Sequence, residues 1–440
     1  MTRRRIGIDG YNFAMPHGTG IATYGRMLVD TLRQMDYEVD GVFGLDVHGP
    51  VNHRETLFYD RLVRPVRYKR KWRRMIARGR HAMGMASATT LLTVPQGQVD
   101  ARAVADRMPH FDRLWSSKDL FDRANDYFRI TGRFARITVD QPPDIMHWTY
   151  PIPVTLEGAR NIYTIHDLVP LRLPFATLDD KRWYRGLVSA CVAQADHICT
   201  VSQASRRDII DLLGADPARV SNTYQISSID PALLAEDPAV SAGLIESTFG
   251  LKADGYFLYF GAIEPKKNVG RLIEAYLALG TQTPLVIVAG RAWQSEAEMV
   301  LLPRPDDSDS PRHAHLEKRI TQIDYLPRHL LMRLLRGARA LAFPSLAEGF
   351  GLPVHEAMLL GVPVLTSNQT SLPEVTGDSA LSVDPYDTTA ISAGLARLDG
   401  DIALRADLAH RGKAYAARFS PEHYRTALTL MYDQAMGSPT

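Results

Sequence analysis

Cysteine is nearly missing from this chain: Cys191 and Cys199 are the two in 440 residues. Both fall in apolar, periodic stretches, which suits small buried residues in a reducing compartment and argues against a disulfide scaffold. No His/Cys cluster has metal-ligand spacing, so no metal is expected. Apolar runs of the ~18 residues that cross a membrane are also missing. The basic start "MTRRRIGIDG" lacks the apolar core of a secretory signal, and the expected location is the cytoplasm. Net charge is small, +2, so composition implies no nucleic acid partner. No repeat of solenoid period is found. The dinucleotide fingerprint is absent too. In "HGTGIATYG" the glycine after Gly18 and Gly20 is Gly25, too late for G-x-G-x-x-G, which counts against a nicotinamide enzyme.

What is present is ordinary globular composition, 45% apolar and 23% charged, over a length that suits two domains of ~200 residues. Strand and helix alternate. "RIGIDG", "VDGVFGLD", "DIMHWTY", "NIYTIHDL" and "HICTVS" read as strands, with helices at "GTGIATYGRMLVDTLRQM" and "KRWYRGLVSACVAQA". A second series follows from residue 255: strands "YFLYFG", "PLVIVAG", "RALAFPS" and "VPVLTSN", helices "NVGRLIEAYLAL", "PRHLLMRLLRGA" and "PVHEAMLLG". This alternation argues for parallel sheets covered on both faces. The expected fold is α/β, two doubly wound Rossmann-like halves that meet near residues 222–250. A terminal amphipathic helix, "FSPEHYRTALTLMYDQAM", closes the chain.

Residues 50–140 break the rhythm. Within them Arg64 to Arg80 holds nine Lys or Arg in 17 positions and no acid, which leaves the rest of the chain net negative. Tyr68, Trp72, Met75 and Ile76 are interleaved. Such a stretch suits an anionic surface, a membrane face or a lipid diphosphate, and equally a solvated helix face.

Four stretches can carry chemistry. In "EGFGLPVHEA", Glu348 and Glu356 would diverge by roughly 80° on one helix, and the glycines and Pro353 argue that the helix starts only near Pro353. Glu348 is then expected in the loop after a strand and Glu356 in the first helical turn. The loop and helix N-terminus between them offer backbone N–H groups and a positive dipole end, a phosphate cradle with a carboxylate on each side. The plain alternative is a helix-dipole role for Glu356 and a solvated Glu348. "GAIEPKKN" puts Lys266 and Lys267 at another strand-to-helix junction, where a diphosphate could be met by point charges. Gly18 and Gly20 would let backbone approach a ligand. "TIHDLVP" brings His166 and Asp167 to a strand end. "DDSDS", with Asp307, Ser308 and Asp309, has no preceding strand and reads as a polar loop.

Together these stretches resemble the retaining glycosyltransferases of family GT4, which have the GT-B fold. The strongest match is "RALAFPSLAEGFGLPVHEAMLLGVPVLTSNQTSLPEVTGDSALSVDP", with the E-x7-E pattern of that family as Glu348 and Glu356. "YFGAIEPKKN", "LVIVAG", "TIHDLVPLRLP" and "TVSQASRRDI" also resemble family landmarks. The resemblance implies an N-terminal acceptor-side domain over 1–225 with the basic insertion at about 50–140. It implies a C-terminal nucleotide-sugar domain over 226–418 and a helix over 419–440 that returns to the first domain.

By the same resemblance Glu356 binds ribose hydroxyls, Glu348 faces the donor sugar and Lys267 holds the diphosphate, helped by Lys266 and the backbone of Gly349, Phe350, Gly351 and Leu352. Gly18 and Gly20 line the cleft from the other domain, and His166 lies near the reacting sugar. Thr370, Ser371, Leu372 and Glu374 help shape the donor site. Many members carry arginine after the glycine of "GAIEPKKN"; here it is Ala262.

The implied activity is metal-independent, retaining hexosyl transfer. The nucleotide sugar is co-substrate rather than cofactor, with GDP-mannose expected from the mannosyltransferase-type wording. The implied acceptor is a lipid-linked glycan of bacterial surface polysaccharide or lipopolysaccharide, met at the cytoplasmic face of the inner membrane with Arg70, Lys71, Trp72, Arg73 and Arg74 on that side. No residue pattern sets an oligomeric state. Two other readings of the same residues are a glycoside phosphorylase or hydrolase that uses the glutamates as an acid/base pair, and a non-catalytic module for anionic lipid.

Changing Arg70, Lys71, Arg73 and Arg74 to glutamine is expected to weaken co-sedimentation with anionic liposomes and to spare turnover of a soluble acceptor. Unchanged liposome binding would remove the membrane reading.

Overall fold

A computed structural model describes residues 3–15, 20–64, 84–100, 104, 108–177, 180–227, 229–290, 298, 300–302 and 319–437. The strands of the N-terminal half are β1 Arg5–Asp9, β2 Glu38–Phe43, β3 Thr89–Thr90, β4 Leu92–Val94, β5 Arg113–Ser116, β6 Ala135–Thr138, β7 Ile145–Trp148, β8 Val154–Leu156, β9 Arg160–Thr164, β10 His197–Thr200 and β11 Val220–Asn222. Eight of them form one sheet in the order β11-β10-β9-β7-β1-β2-β5-β4, with β3, β6 and β8 in a small second sheet. Every pair of the large sheet is parallel except β4–β5, which is antiparallel at the edge.

The second half contributes β12 Phe257–Phe260, β13 Leu285–Val288, β14 Ile320–Ile323, β15 Ala340–Phe343, β16 Val364–Ser367 and β17 Leu381–Val383. Their order is β14-β13-β12-β15-β16-β17, all parallel. Strands β12, β13, β15 and β16 are buried along their whole length. The continuous apolar runs of β12, β13 and β15 are what burial on both faces requires. Chain order reverses between β12 and β15. In an open sheet that switch point leaves a crevice outside the strand carboxyl ends. The two loops that open there are the ones after β12 and after β15.

Six helices matter below: α1 Gly20–Gln34, α2 Gln203–Leu213, α3 Arg328–Arg336, α4 Leu352–Leu359, α5 Leu372–Thr376 and α6 Pro421–Met436. The last of these lies against the N-terminal sheet. Its Tyr432 hydroxyl bonds His147 Nδ1 at 2.8 Å, Asp433 pairs with Arg4 at 2.8 Å, and Ser221 donates to Gln434 at 3.1 Å. Burial pushes the His147 imidazole down to about 3, so it is neutral. Tyr424, Leu428, Met431 and Tyr432 join one apolar cluster that runs from β1 into the second half.

Cys191 and Cys199 are free and buried. Among the described residues no helix is long and apolar enough to cross a membrane. Gly18, the 70–74 basic residues, and Asp307, Ser308 and Asp309 lie outside the described residues.

Leu428→Ala, which empties a fully buried site, is expected to cost ~2–5 kcal/mol. Tyr432→Phe, which deletes only the hydroxyl facing His147, is expected to cost ~1 kcal/mol. Thermal unfolding followed by circular dichroism tests the order of the two.

Candidate active site

The loop after β12 and the loop after β15 are tied together before any ligand is considered. Pro265–Lys267 makes a single tight turn and Asn268 stands in the left-handed region at φ 62. The Asn268 side-chain amide donates to Pro344 O at 2.9 Å and Pro385 O at 2.7 Å. Lys266 O accepts from Leu346 N at 2.8 Å and from Ser345 Oγ at 2.9 Å. Lys267 Nζ then reaches Glu348 Oε1 at 2.6 Å, with the two side chains 15% and 8% exposed.

The hydroxyls after β16 brace the same loop. Ser371 Oγ donates to Glu348 O and Phe350 O, both at 2.9 Å, and Glu348 N donates to Thr370 Oγ1 at 3.0 Å. The loop ends at Gly351, φ 104, which caps α4 in a conformation that side chains rarely adopt. Helix α4 has no side-chain N-cap, so its N-terminal dipole end is left to the cleft. The helix begins at Leu352, one residue earlier than Pro353 alone suggests. Glu356 is therefore its fifth residue and lies in the second turn, which corrects the expected first-turn position. It is 3% exposed. Arg328, first residue of α3, donates to Glu356 Oε1 at 2.7 Å. Burial raises the Glu356 carboxyl above its ordinary range, and the Arg328 charge opposes that rise.

The opposite wall comes from the N-terminal sheet. Asp9, buried at the end of β1, accepts the Thr149 N–H. Thr149 O in turn bonds His166 Nε2 at 2.9 Å. A carbonyl can only accept, so Nε2 carries the proton and Nδ1 keeps its lone pair. Burial lowers the His166 pKa, and Lys266 adds to the effect, so the ring is neutral near pH 7.

A cavity of about 650 Å³ lies between the halves. Of the residues expected at the site, Gly20, His166, Lys266, Lys267, Glu348, Gly349, Phe350, Gly351, Leu352 and Glu356 all line it. A Cβ on Gly20 would meet nothing within 4 Å, so its wall is open to a ligand. Phe350 turns its ring away, edge-on to Phe419 at 5.3 Å and His355 at 5.6 Å, and offers backbone instead. At Gly349 the halves come close: a Cβ there would stand 2.7 Å from His166 O. Ala262 also lines the cavity.

One expectation changes. Glu374 does not face the cavity; its carboxylate crosses to Gln203 N and Ala204 N of the other half, because the first turn of α2 presents free N–H groups to it. Each of the two glutamates has its own cation, Lys267 for Glu348 and Arg328 for Glu356. Arg328 escaped the sequence reading. Its signal was a cation in the first turn of a helix, where the dipole disfavours it.

Two Rossmann-like domains facing a charged cleft define the GT-B class of glycosyltransferases. The model "Glycosyl transferases group 1" matches residues 247–415 and "Glycosyltransferase Family 4" matches 88–222. O-antigen chain mannosyltransferase B of Escherichia coli is 35% identical over 286 residues, 64% of this chain and 71% of the relative. Serotype-specific mannosyltransferase WbdA of E. coli is 30% identical over 62% of this chain, which spans 33% of that longer protein. Among solved structures, sucrose-phosphate synthase of Thermosynechococcus elongatus matches with TM-score 0.66 at 17% identity, over 99% of this chain and 100% of the other. Anabaena HepE, in complex with UDP and glucose, matches with TM-score 0.62 at 16% identity, over 98% and 100%. The chain belongs to glycosyltransferase family 4.

Gly349→Ala is expected to push Gly349 and His166 apart and to lower kcat/KM by about 10²-fold, the scale of a ~1 Å misplacement, and to lower the thermal midpoint because a backbone carbonyl must move to admit the Cβ. Steady-state nucleotide release measures the first, and a melting curve the second.

Proposed function

We propose that this enzyme transfers mannose from GDP-mannose to a lipid-linked glycan of a bacterial surface polysaccharide, with retained anomeric configuration and no metal requirement. The observation that carries the reading is the pair of cation-held carboxylates at the switch point, Lys267–Glu348 at 2.6 Å and Arg328–Glu356 at 2.7 Å, on either side of an uncapped helix N-terminus.

A nucleoside diphosphate presents two demands: hydroxyl donors on the ribose and negative charge on the phosphates. Buried Glu356, oriented by Arg328, accepts from the ribose hydroxyls. The N-terminus of α4, Lys266 and Lys267 meet the diphosphate. As the sugar–phosphate bond breaks, negative charge grows on the leaving oxygen and positive charge on the ring. Fixed cations and backbone dipoles aimed at that oxygen lower the barrier without reorganising, so the charge needs no metal to balance it. Lys267 is free to turn from Glu348 to the phosphate, and Glu348 then accepts from the sugar hydroxyls. Neutral His166 offers Nδ1 as a further acceptor from the other wall. The acceptor hydroxyl attacks from the leaving-group side, and its proton passes to the departing phosphate, so neither glutamate serves as base.

The mannose and O-antigen part of the reading rests on the named relatives. The lipid-linked acceptor follows from that class of product and from the basic stretch at 64–80, which would rest on the cytoplasmic face of the inner membrane.

The reading is tested by thermal shift against GDP-mannose and UDP-, ADP- and TDP-sugars. A ligand at a hundred times its Kd adds ~2.7 kcal/mol, a rise of roughly 5 to 10 °C for a domain of this size. GDP-mannose is expected to give the largest rise, and Glu356→Ala to abolish it. A rise with UDP-sugars only would overturn the donor assignment.

A further inference from the structure

Glu374 does not line the cavity, yet it makes a direct polar bridge between the two halves. Its carboxylate accepts from Gln203 N at 2.6 Å and from Ala204 N at 3.1 Å, one oxygen to each. These are the first two N–H groups of α2, which the N-cap Ser202 leaves unpaired because its hydroxyl takes the Ser205 N–H instead. A carboxylate there also meets the positive end of the helix dipole. Glu374 is itself anchored in its own domain, where Tyr415 donates to its carbonyl at 3.2 Å.

Each side of this bridge leads within a few bonds to the reacting centre. On the N-terminal side Ser205, in the same first turn, donates to His166 O at 2.8 Å. On the other side Glu374 lies three residues after Ser371, whose hydroxyl holds the carbonyls of Glu348 and Phe350. Between them the His166 carbonyl and Gly349 are in close approach.

We propose that Glu374 is a closure clasp, a positioning residue that locks α2 to the donor domain and so sets the distance between His166 and Glu348. The donor contacts, Lys267, Arg328 and Glu356, all belong to the C-terminal half, whereas His166 comes from the other. Loss of the clasp therefore affects turnover more than donor binding. The clasp holds whichever sugar is transferred.

The test uses the full chain. Glu374→Ala removes the acceptor. Gln203→Pro removes one donor alone: it stands at the first helical position, where proline is favoured, after Ser202 in the extended conformation that precedes proline. Gln203→Ala keeps the N–H and is the control. Small-angle X-ray scattering without ligand is expected to give a larger radius of gyration for Glu374→Ala and Gln203→Pro than for wild type and Gln203→Ala, with Glu374→Gln between. Circular dichroism checks that each variant is folded.

With GDP-mannose, kcat is expected to fall about tenfold or more, the scale of a small misplacement, with donor KM little changed. Folded variants that scatter like wild type, or that lose activity through KM alone, would overturn the clasp. If GDP-mannose is not the donor, no variant or wild type turns it over, and scattering alone decides.

Discussion

The ion pair between Lys267 and Glu348 is the interaction on which the site depends. A buried pair recovers its desolvation cost only when the geometry is good and the remaining polar groups are bonded. Here the neighbouring backbone is satisfied on every side: Asn268 on Pro344 and Pro385, Ser345 on Lys266, Ser371 on Glu348 and Phe350. The pair thus joins two loops that are already rigid. It holds a cation and a carboxylate where the strand order of the second sheet reverses.

From that point outward the architecture follows. A parallel sheet buried on both faces has to send its chain back through helices, so every strand end is followed by a loop and a helix N-terminus. The β12 and β15 ends meet the ends of β1, β7 and β9 across the cleft. Asp9, Thr149 and His166 form a relay of hydrogen bonds on that second wall. Gly349 lets the walls approach, the Glu374 bridge spans them, and helix α6 runs back to the first sheet so that the chain crosses between halves twice.

Much of this was legible in the sequence, for identifiable reasons. The strands and helices around both switch points carry strong periodicity and sharp Gly/Pro punctuation, as in "PSLAEGFGLPVHEA". Residues at strand ends are near in sequence to the strands that place them, so His166, Lys267 and Glu348 could be named. The short strands at 89–94 and 135–138 could not be. They pair with partners far away, and two to four residues carry too little pattern.

The sequence by itself determined the fold class, the family and the residues at the strand ends, because local periodicity and short motifs are properties of contiguous chain. Only the tertiary structure decided who partners whom. Arg328 holds Glu356 from 28 positions away, Glu374 reaches Gln203 from 171, and Tyr432 meets His147 from 285. Such pairs follow from where sheets and helices come to rest in space, and a carboxylate looks the same in sequence whether it faces a sugar, an arginine or the end of a helix in the other domain.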